Sequence, residues 1–143
     1  MRILYIYPSW TGEYGLISHF AKRAGVYPPL NLALLASISE QHGYESSIID
    51  AEADSIPMAQ LVKEATRIKP DVVAITGKSP FFHLSVQFSE QFKALNPNIP
   101  ICIGGAHITI QEKKAFLPCF DYGFTGECEE SWPSFLDCLK NEE

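Results

Sequence analysis

The chain has 143 residues, 46% of them hydrophobic and 20% charged, with a formal net charge of −6. That length suits one domain able to bury roughly 70% of its unfolded surface. The acidic balance and the scattered Lys and Arg argue against a nucleic-acid footprint, and apolar runs such as 3–7 and 72–75 are far too short to span a bilayer.

Residues 3–7, Ile-Leu-Tyr-Ile-Tyr, read as a strand that is apolar on both faces. The chain thus opens on a strand rather than a signal peptide. A long loop follows, with Gly12, Gly15 and Gly25 and with aromatic weight from Trp10, Tyr14 and Phe20, suited to covering a ligand or facing another domain. Pro28-Pro29 opens a helix carrying Leu32, Leu35 and Ala36, closed by Gly43. Residues 46–49, ending at Asp50, form a second strand. A helix starts at Pro57, carries Leu61, Ala65 and Ile68, and stops at Pro70.

The third strand, 72–75, runs into Thr76-Gly77-Lys78-Ser79. The stripe Leu84, Phe88, Phe92 and Leu95 predicts a third helix with one buried face, broken by Asn96-Pro97-Asn98. The fourth strand, 101–103, ends in Gly104-Gly105-Ala106-His107, and 110–117 reads as a short helix. Residues 122–124 form an edge-like fifth strand. The last helix begins near Ser131, with Pro133 in its first turn and Phe135, Leu136 and Leu139 inward; the polar tail 141–143 is expected to fray.

Five strands alternating with helices predict an α/β, three-layer, flavodoxin-like or Rossmann-type domain over 1–143. Its five-stranded parallel sheet has the order 2-1-3-4-5 and helices on both faces. Ligands of such sheets sit beyond the carboxyl ends of the strands, here in a crevice expected between strands one and three. Its candidate lining is Pro8, Ser9 and Trp10, then Ala51 and Glu52, then Thr76, Gly77, Lys78 and Ser79, then Gly104, Gly105, Ala106 and His107, then Thr125, Gly126 and Glu127. Paired glycines at 104 and 105 leave the backbone bare at a strand end, so main-chain atoms can approach something flat or bulky.

Several tenants of the fold are excluded by chemistry. A phosphoryl-accepting receiver needs an acidic pair after strand one and an Asp ending strand three, where this chain has Pro8-Ser9 and Thr76. No Gly-x-Gly-x-x-Gly follows strand one, no Walker loop occurs, and Ser9-Trp10-Thr11-Gly12 is a poor flavin-phosphate loop. Cys102, Cys119, Cys128 and Cys138 are widely spaced without a Cys-x-x-Cys pair, which reads as reduced thiols in a cytoplasmic protein. A large, mostly uncharged ligand held by backbone and hydroxyl groups fits what remains.

The resemblance becomes specific in an ordered set of motifs. These are Tyr27-Pro28-Pro29-Leu30-Asn31-Leu32-Ala33, Gly43-Tyr44-Glu45, Lys69-Pro70-Asp71-Val72-Val73, the Gly104-Gly105-Ala106-His107 turn, and Asp121-Tyr122 through Thr125-Gly126-Glu127-Cys128-Glu129-Glu130-Ser131. Together they resemble the N-terminal cobalamin (B12)-binding domain of B12-dependent radical-SAM enzymes, over essentially the whole chain. The resemblance implies cobalamin as cofactor, with Thr76 and Ser79 as hydroxyl contacts to its nucleotide tail. Gly104 and Gly105 would lie against that tail, with Gly126 and Glu127 at the rim. Pro8, Ser9, Gly77, Ala106 and His107 complete the candidate set from the crevice.

The Asp-x-His-x-x-Gly motif of the methionine-synthase type is absent: His19 has Ile17 two before it and Lys22 three after it. The implied binding is therefore base-off and His-off, with no protein ligand on cobalt. No Cys-x-x-x-Cys-x-x-Cys occurs, so no iron–sulfur cluster is expected here. The domain would present its corrinoid, without turnover of its own, to a radical-SAM catalytic domain of the same protein or of another chain, for methyl transfer or ring-forming chemistry.

Simpler roles stand beside these. Gly104-Gly105 also suits a tight turn, Thr76 a helix cap, and Glu127, Glu129 and Glu130 a complement to a helix dipole. His107 suits a backbone hydrogen bond, and Lys78 either a ligand phosphate or solvent. A Leu at position 105 is expected to block the ligand while sparing the fold. A degenerate module acting as a scaffold is the alternative, and a flavodoxin-like electron carrier a third.

Overall fold

The fold is that of a computed structural model, which describes residues 1–11 and 27–141. Strands Arg2–Tyr7 (β1), Glu45–Asp50 (β2), Val72–Thr76 (β3), Ile101–Gly104 (β4) and Tyr122–Gly123 (β5) form one sheet. All neighbours are parallel, in the expected order β2-β1-β3-β4-β5. The helices among the described residues are Leu30–Gln41 (α1), Met58–Ile68 (α2), Phe82–Leu95 (α3), Ala106–Gln111 (α4) and Ser131–Asn141 (α5). None is long and apolar enough to cross a membrane. Gly12, Tyr14, Gly15, Ile17, His19, Phe20, Lys22 and Gly25 lie outside the described residues, as do Glu142 and Glu143.

Alternation along the strands divides the core into two layers. Leu4, Ile6, Val73, Ile75, Ile101 and Ile103 point to one side, against Leu61, Val62 and Ala65 of α2, Phe88 and Phe92 of α3, and Ile108 of α4. Phe88 and Phe92 are fully buried, each contributing about 1.5–3 kcal/mol of apolar burial. The other side carries Ile3, Tyr5, Ala74 and Cys102 against Leu32 and Ala36 of α1 and Trp132 and Leu136 of α5.

Three elements differ from the sequence reading, two in their bounds and one in its buried face. Helix α4 starts at Ala106 because Gly105, at φ +102, turns the chain directly out of β4 and its carbonyl accepts Thr109 N at 3.0 Å. It stops where Glu112 swings to φ +49, and a 3-10 turn, Glu112–Lys114, follows. Leu95, the last residue of α3, is 64% exposed; Ser85 and Ser89 are buried in this helix beside the aromatic stripe. Strand β5 ends at Gly123, although Phe124 N still donates to Ile103 O at 2.8 Å.

Candidate functional site

A cavity of about 410 Å3 opens at the carboxyl end of the sheet, over β3 and β4 and between α1 and the start of α5. Its size falls within the range of roughly 300–1,000 Å3 typical of small-molecule sites. The strand sequences explain why it exists. In Val-Val-Ala-Ile-Thr and Ile-Cys-Ile-Gly, the positions facing α2 and α3 are large, whereas those on the other face are, beyond Val72, Ala74, Thr76, Cys102 and Gly104. Register pairs Ala74 with Cys102 and Thr76 with Gly104, so four small residues form one contiguous floor. Leu32, Phe124 and Trp132 build the walls.

The polar atoms behind the Trp132 wall satisfy one another. Trp132 Nε1 donates to Tyr5 OH and Ser39 Oγ, both at 2.9 Å. Tyr5 OH lies 2.7 Å from Ser39 Oγ and donates to Leu35 O at 3.1 Å. Burial pushes the Tyr5 phenol up to about 12, against the opposing effect of these hydrogen bonds, so it remains neutral. Burial likewise drives the Cys102 thiol upward, with the Asp121 charge adding to it. At the mouth, Asn31 Nδ2 donates to Thr76 Oγ1 at 3.3 Å. Thr109 Oγ1 donates to Gly105 O and accepts from Gly126 N, both at 3.0 Å, tying the helix α4 turn to the loop after β5.

The two glycines play different parts. A Cβ on Gly105 would stand 2.8 Å from Thr76 Oγ1 and 3.0 Å from Gly77 O, and the residue already holds a positive φ. Its missing side chain is a requirement of the fold. A Cβ on Gly104 would meet only Phe124, at 3.7 Å or more, which is ordinary contact. Gly104 therefore leaves a cradle in the cavity floor that the fold itself does not demand.

Of the residues singled out in the sequence, Thr76, Gly104, Gly105, Ala106, Gly126 and Glu127 line this cavity, and Pro8, Ser9, Gly77, Ser79 and His107 do not. The opening thus lies over β3 and β4 rather than between the ends of β1 and β3. Pro8 borders a separate gap of about 10 Å3 beside Lys78 and Phe81. Lys78 Nζ donates to Tyr7 OH and lies 4.7 Å from that ring's centroid. Gly77 is held between β4 and α4, donating to Gly104 O at 2.7 Å and accepting His107 N at 3.0 Å. The His107 ring stacks on Phe82 at 4.2 Å and its Nδ1 is 3.2 Å from Ser79 Oγ.

Asn31, Ala74, Thr109, Phe124 and Trp132 were not anticipated at the site. The large-small alternation of β3 and β4 was the available signal for Ala74. Asn31 lies within the motif at 27–33, which marks the family but not a contact, and Thr109 carries no signal; only the tertiary fold aims them at the same opening.

Ser9 has its own role. Glu52, 1% exposed, accepts from Ser9 Oγ at 3.0 Å, Trp10 N at 2.6 Å and Thr11 N at 3.0 Å, all through Oε2. Burial pushes its carboxyl up, but the hydrogen bonds from Thr11, Trp10 and Ser9 outweigh it and hold the pKa below the ordinary 4.5. A depressed carboxylate contributes stability that is present above its unfolded pKa and lost as pH falls through the folded value. Glu52→Gln is expected to cost about 1–2 kcal/mol in urea unfolding near neutral pH. It should also flatten the loss of stability below about pH 4.5; an unchanged acid profile would show that Glu52 does not anchor this loop.

Fold and cavity together define a class: a parallel α/β domain with a ligand-sized cavity at the carboxyl end of its sheet. Residues 19–136 match the B12 binding domain, and the chain belongs to that family. It is 30% identical over 115 residues to an uncharacterized methyltransferase of Pyrococcus horikoshii, covering 78% of this chain and 25% of that protein. The anaerobic magnesium-protoporphyrin IX monomethyl ester cyclase of Rubrivivax gelatinosus is 30% identical over 133 residues, covering 91% of this chain and 23% of the cyclase. Its counterpart in Cereibacter sphaeroides is 28% identical over 133 residues, again covering 91% of this chain and 21% of the cyclase. The chain therefore spans about a quarter of the length of these curated relatives. Cobalamin is the cofactor that the family implies, and the side-chain-free cradle at Gly104 above an apolar floor fits its nucleotide tail.

Proposed function

We propose that this domain binds cobalamin with its lower base released from cobalt and housed in the β3–β4 cavity. The single observation behind this reading is the floor of Ala74, Thr76, Cys102 and Gly104, which leaves room for a planar group without strain in the fold. Thr76 and Asn31 would meet the polar part of the tail, and Gly104 and Gly105 would let it lie against the backbone. The Asp-x-His-x-x-Gly pattern is absent after β1, which supports binding without a protein ligand on cobalt. When bound, the corrinoid supplies a cobalt centre accessible to a reaction partner.

That partner, in this reading, is a radical-SAM catalytic domain, as the ordered motif set resembling the B12 domains of such enzymes implies; this chain has no Cys-x-x-x-Cys-x-x-Cys of its own. The length of the relatives supports fusion to further domains. So does α1, whose exposed Leu30 (72%) and Leu34 (47%) adjoin the cavity-lining Asn31 and Leu35. A helix apolar on its outer face as well as its inner one suits burial on both.

Cys128 offers a test within the native chain. It lines the cavity half-buried, whereas Cys138 is exposed and outside it. Burial, then the charges of Glu129 and Glu127, raise the Cys128 thiol above its ordinary value, so alkylation should be slow at neutral pH. Saturating cobalamin is expected to slow Cys128 alkylation about tenfold or more, as burial of a thiol does, and to leave Cys138 unaffected, read by mass spectrometry. Equal rates at Cys128 with and without corrinoid would contradict occupancy of this cavity.

A further inference from the structure

We infer that the cavity selects corrinoids by their lower base, accepting an arene with an apolar edge and disfavouring a purine. This rests on the reading that the cavity takes the nucleotide tail. The deep end is formed by Leu32, Ala74, Cys102 and Trp132, which are 3%, 5%, 2% and 1% exposed. The side-chain polar groups sort to the other end. Asn31, Thr109 and Glu127 are exposed, and the Thr76 hydroxyl stands at the last residue of β3.

Polar atoms next to the deep end are already committed. The Trp132 N–H is shared between Tyr5 and Ser39, and the Tyr5 hydroxyl is given to Leu35 O. The strand backbones beneath Ala74 and Cys102 are paired across a parallel ladder. The Cys102 thiol, held protonated by burial, is a weak donor and weak acceptor.

A dimethylbenzimidazole or a cresol brings methyl groups and carbon–hydrogen edges to such a floor. An adenine brings, beyond the imidazole nitrogen that dimethylbenzimidazole shares, two six-ring nitrogens and an exocyclic amino group, which leave water and find no partner there. Each buried polar group left unpaired costs about tenfold or more in affinity. Size gives no such discrimination, because the bicyclic bases are nearly the same shape.

The test uses this chain and four corrinoids: cobalamin, p-cresolylcobamide, adeninylcobamide and cobinamide, which has no base. Affinities are read by equilibrium dialysis. p-Cresolylcobamide, whose base does not coordinate cobalt and bears no release cost, is expected to bind at least as tightly as cobalamin, and adeninylcobamide at least about tenfold more weakly than cobalamin. Adenine is the weaker base and leaves cobalt more readily than dimethylbenzimidazole, so the cost of releasing the base works against the predicted order for that pair. Adeninylcobamide binding as tightly as cobalamin, with cobinamide weak, would overturn the selectivity and leave tail binding intact. Cobinamide matching cobalamin would overturn tail binding itself, and with it the selectivity. An Ala74→Ser variant, which sets a hydroxyl at the deep end, should narrow the gap between adeninylcobamide and cobalamin. An undiminished gap would overturn the assignment of the selectivity to this floor.

Discussion

Gly104→Leu is expected to weaken cobalamin binding by at least about a hundredfold while the domain stays folded. A flat aromatic group of tryptophan size buries about 200 Å2, worth about 5 kcal/mol at 25 cal/mol per Å2. A branched side chain rising from the cavity floor displaces much of that contact, and a loss of about 3 kcal/mol is already more than a hundredfold. The fold has little reason to object. A Cβ at position 104 finds Phe124 at 3.7 Å, and the residue is not in the left-handed region. Affinity by corrinoid titration and stability by urea unfolding should therefore separate. Unchanged affinity would place the tail elsewhere.

Gly105→Ala is expected to do the opposite, lowering stability by about 3 kcal/mol before any ligand is added. Two effects add here. A residue with a side chain at φ +102 pays a backbone penalty, and its Cβ would press within 2.8 Å of Thr76 Oγ1 and 3.0 Å of Gly77 O. The backbone cannot step aside, because Gly77 N is bonded to Gly104 O and Gly77 O to His107 N. The expectation that Leu at 105 would spare the fold is therefore corrected: residue 105 is packed against its own chain. A urea midpoint for Gly105→Ala equal to that of the parent would refute the packing argument. A large drop for Gly104→Ala would likewise blur the distinction between the two glycines.

The sequence made the sheet legible because β1, β3 and β4 are short and apolar and every strand is bounded by proline, glycine or a polar run. Parallel order then follows from the alternation of strands and helices. The glycine pair was legible as a close approach of backbone, but its division of labour was not. Which glycine faces the ligand space and which faces Thr76 depends on register between β3 and β4, and register is a tertiary fact. The same holds for the cavity position. Topology points to the ends of strands one and three, yet the ends of β1 and β3 carry the Lys78–Tyr7 pair and the Trp10–Phe81 stack at 5.1 Å. The small residues that open a slot lie one strand further over. Trp132 shows the limit most plainly. Its sequence neighbourhood marks a helix start, and only the fold brings its indole N–H onto Tyr5, 127 residues away. The motif set that resembles B12-binding domains carried the cofactor from sequence alone, since no single residue in it has a decisive chemistry.

Titration of this chain with methylcobalamin, followed by its visible spectrum, tests the proposal most directly. Saturable binding at micromolar corrinoid, with the absorbance moving from the base-on to the base-off form, is the predicted result, because a base housed over Ala74 and Cys102 has left cobalt. Absence of any spectral change at high micromolar corrinoid, or binding with the base-on spectrum retained, would contradict it.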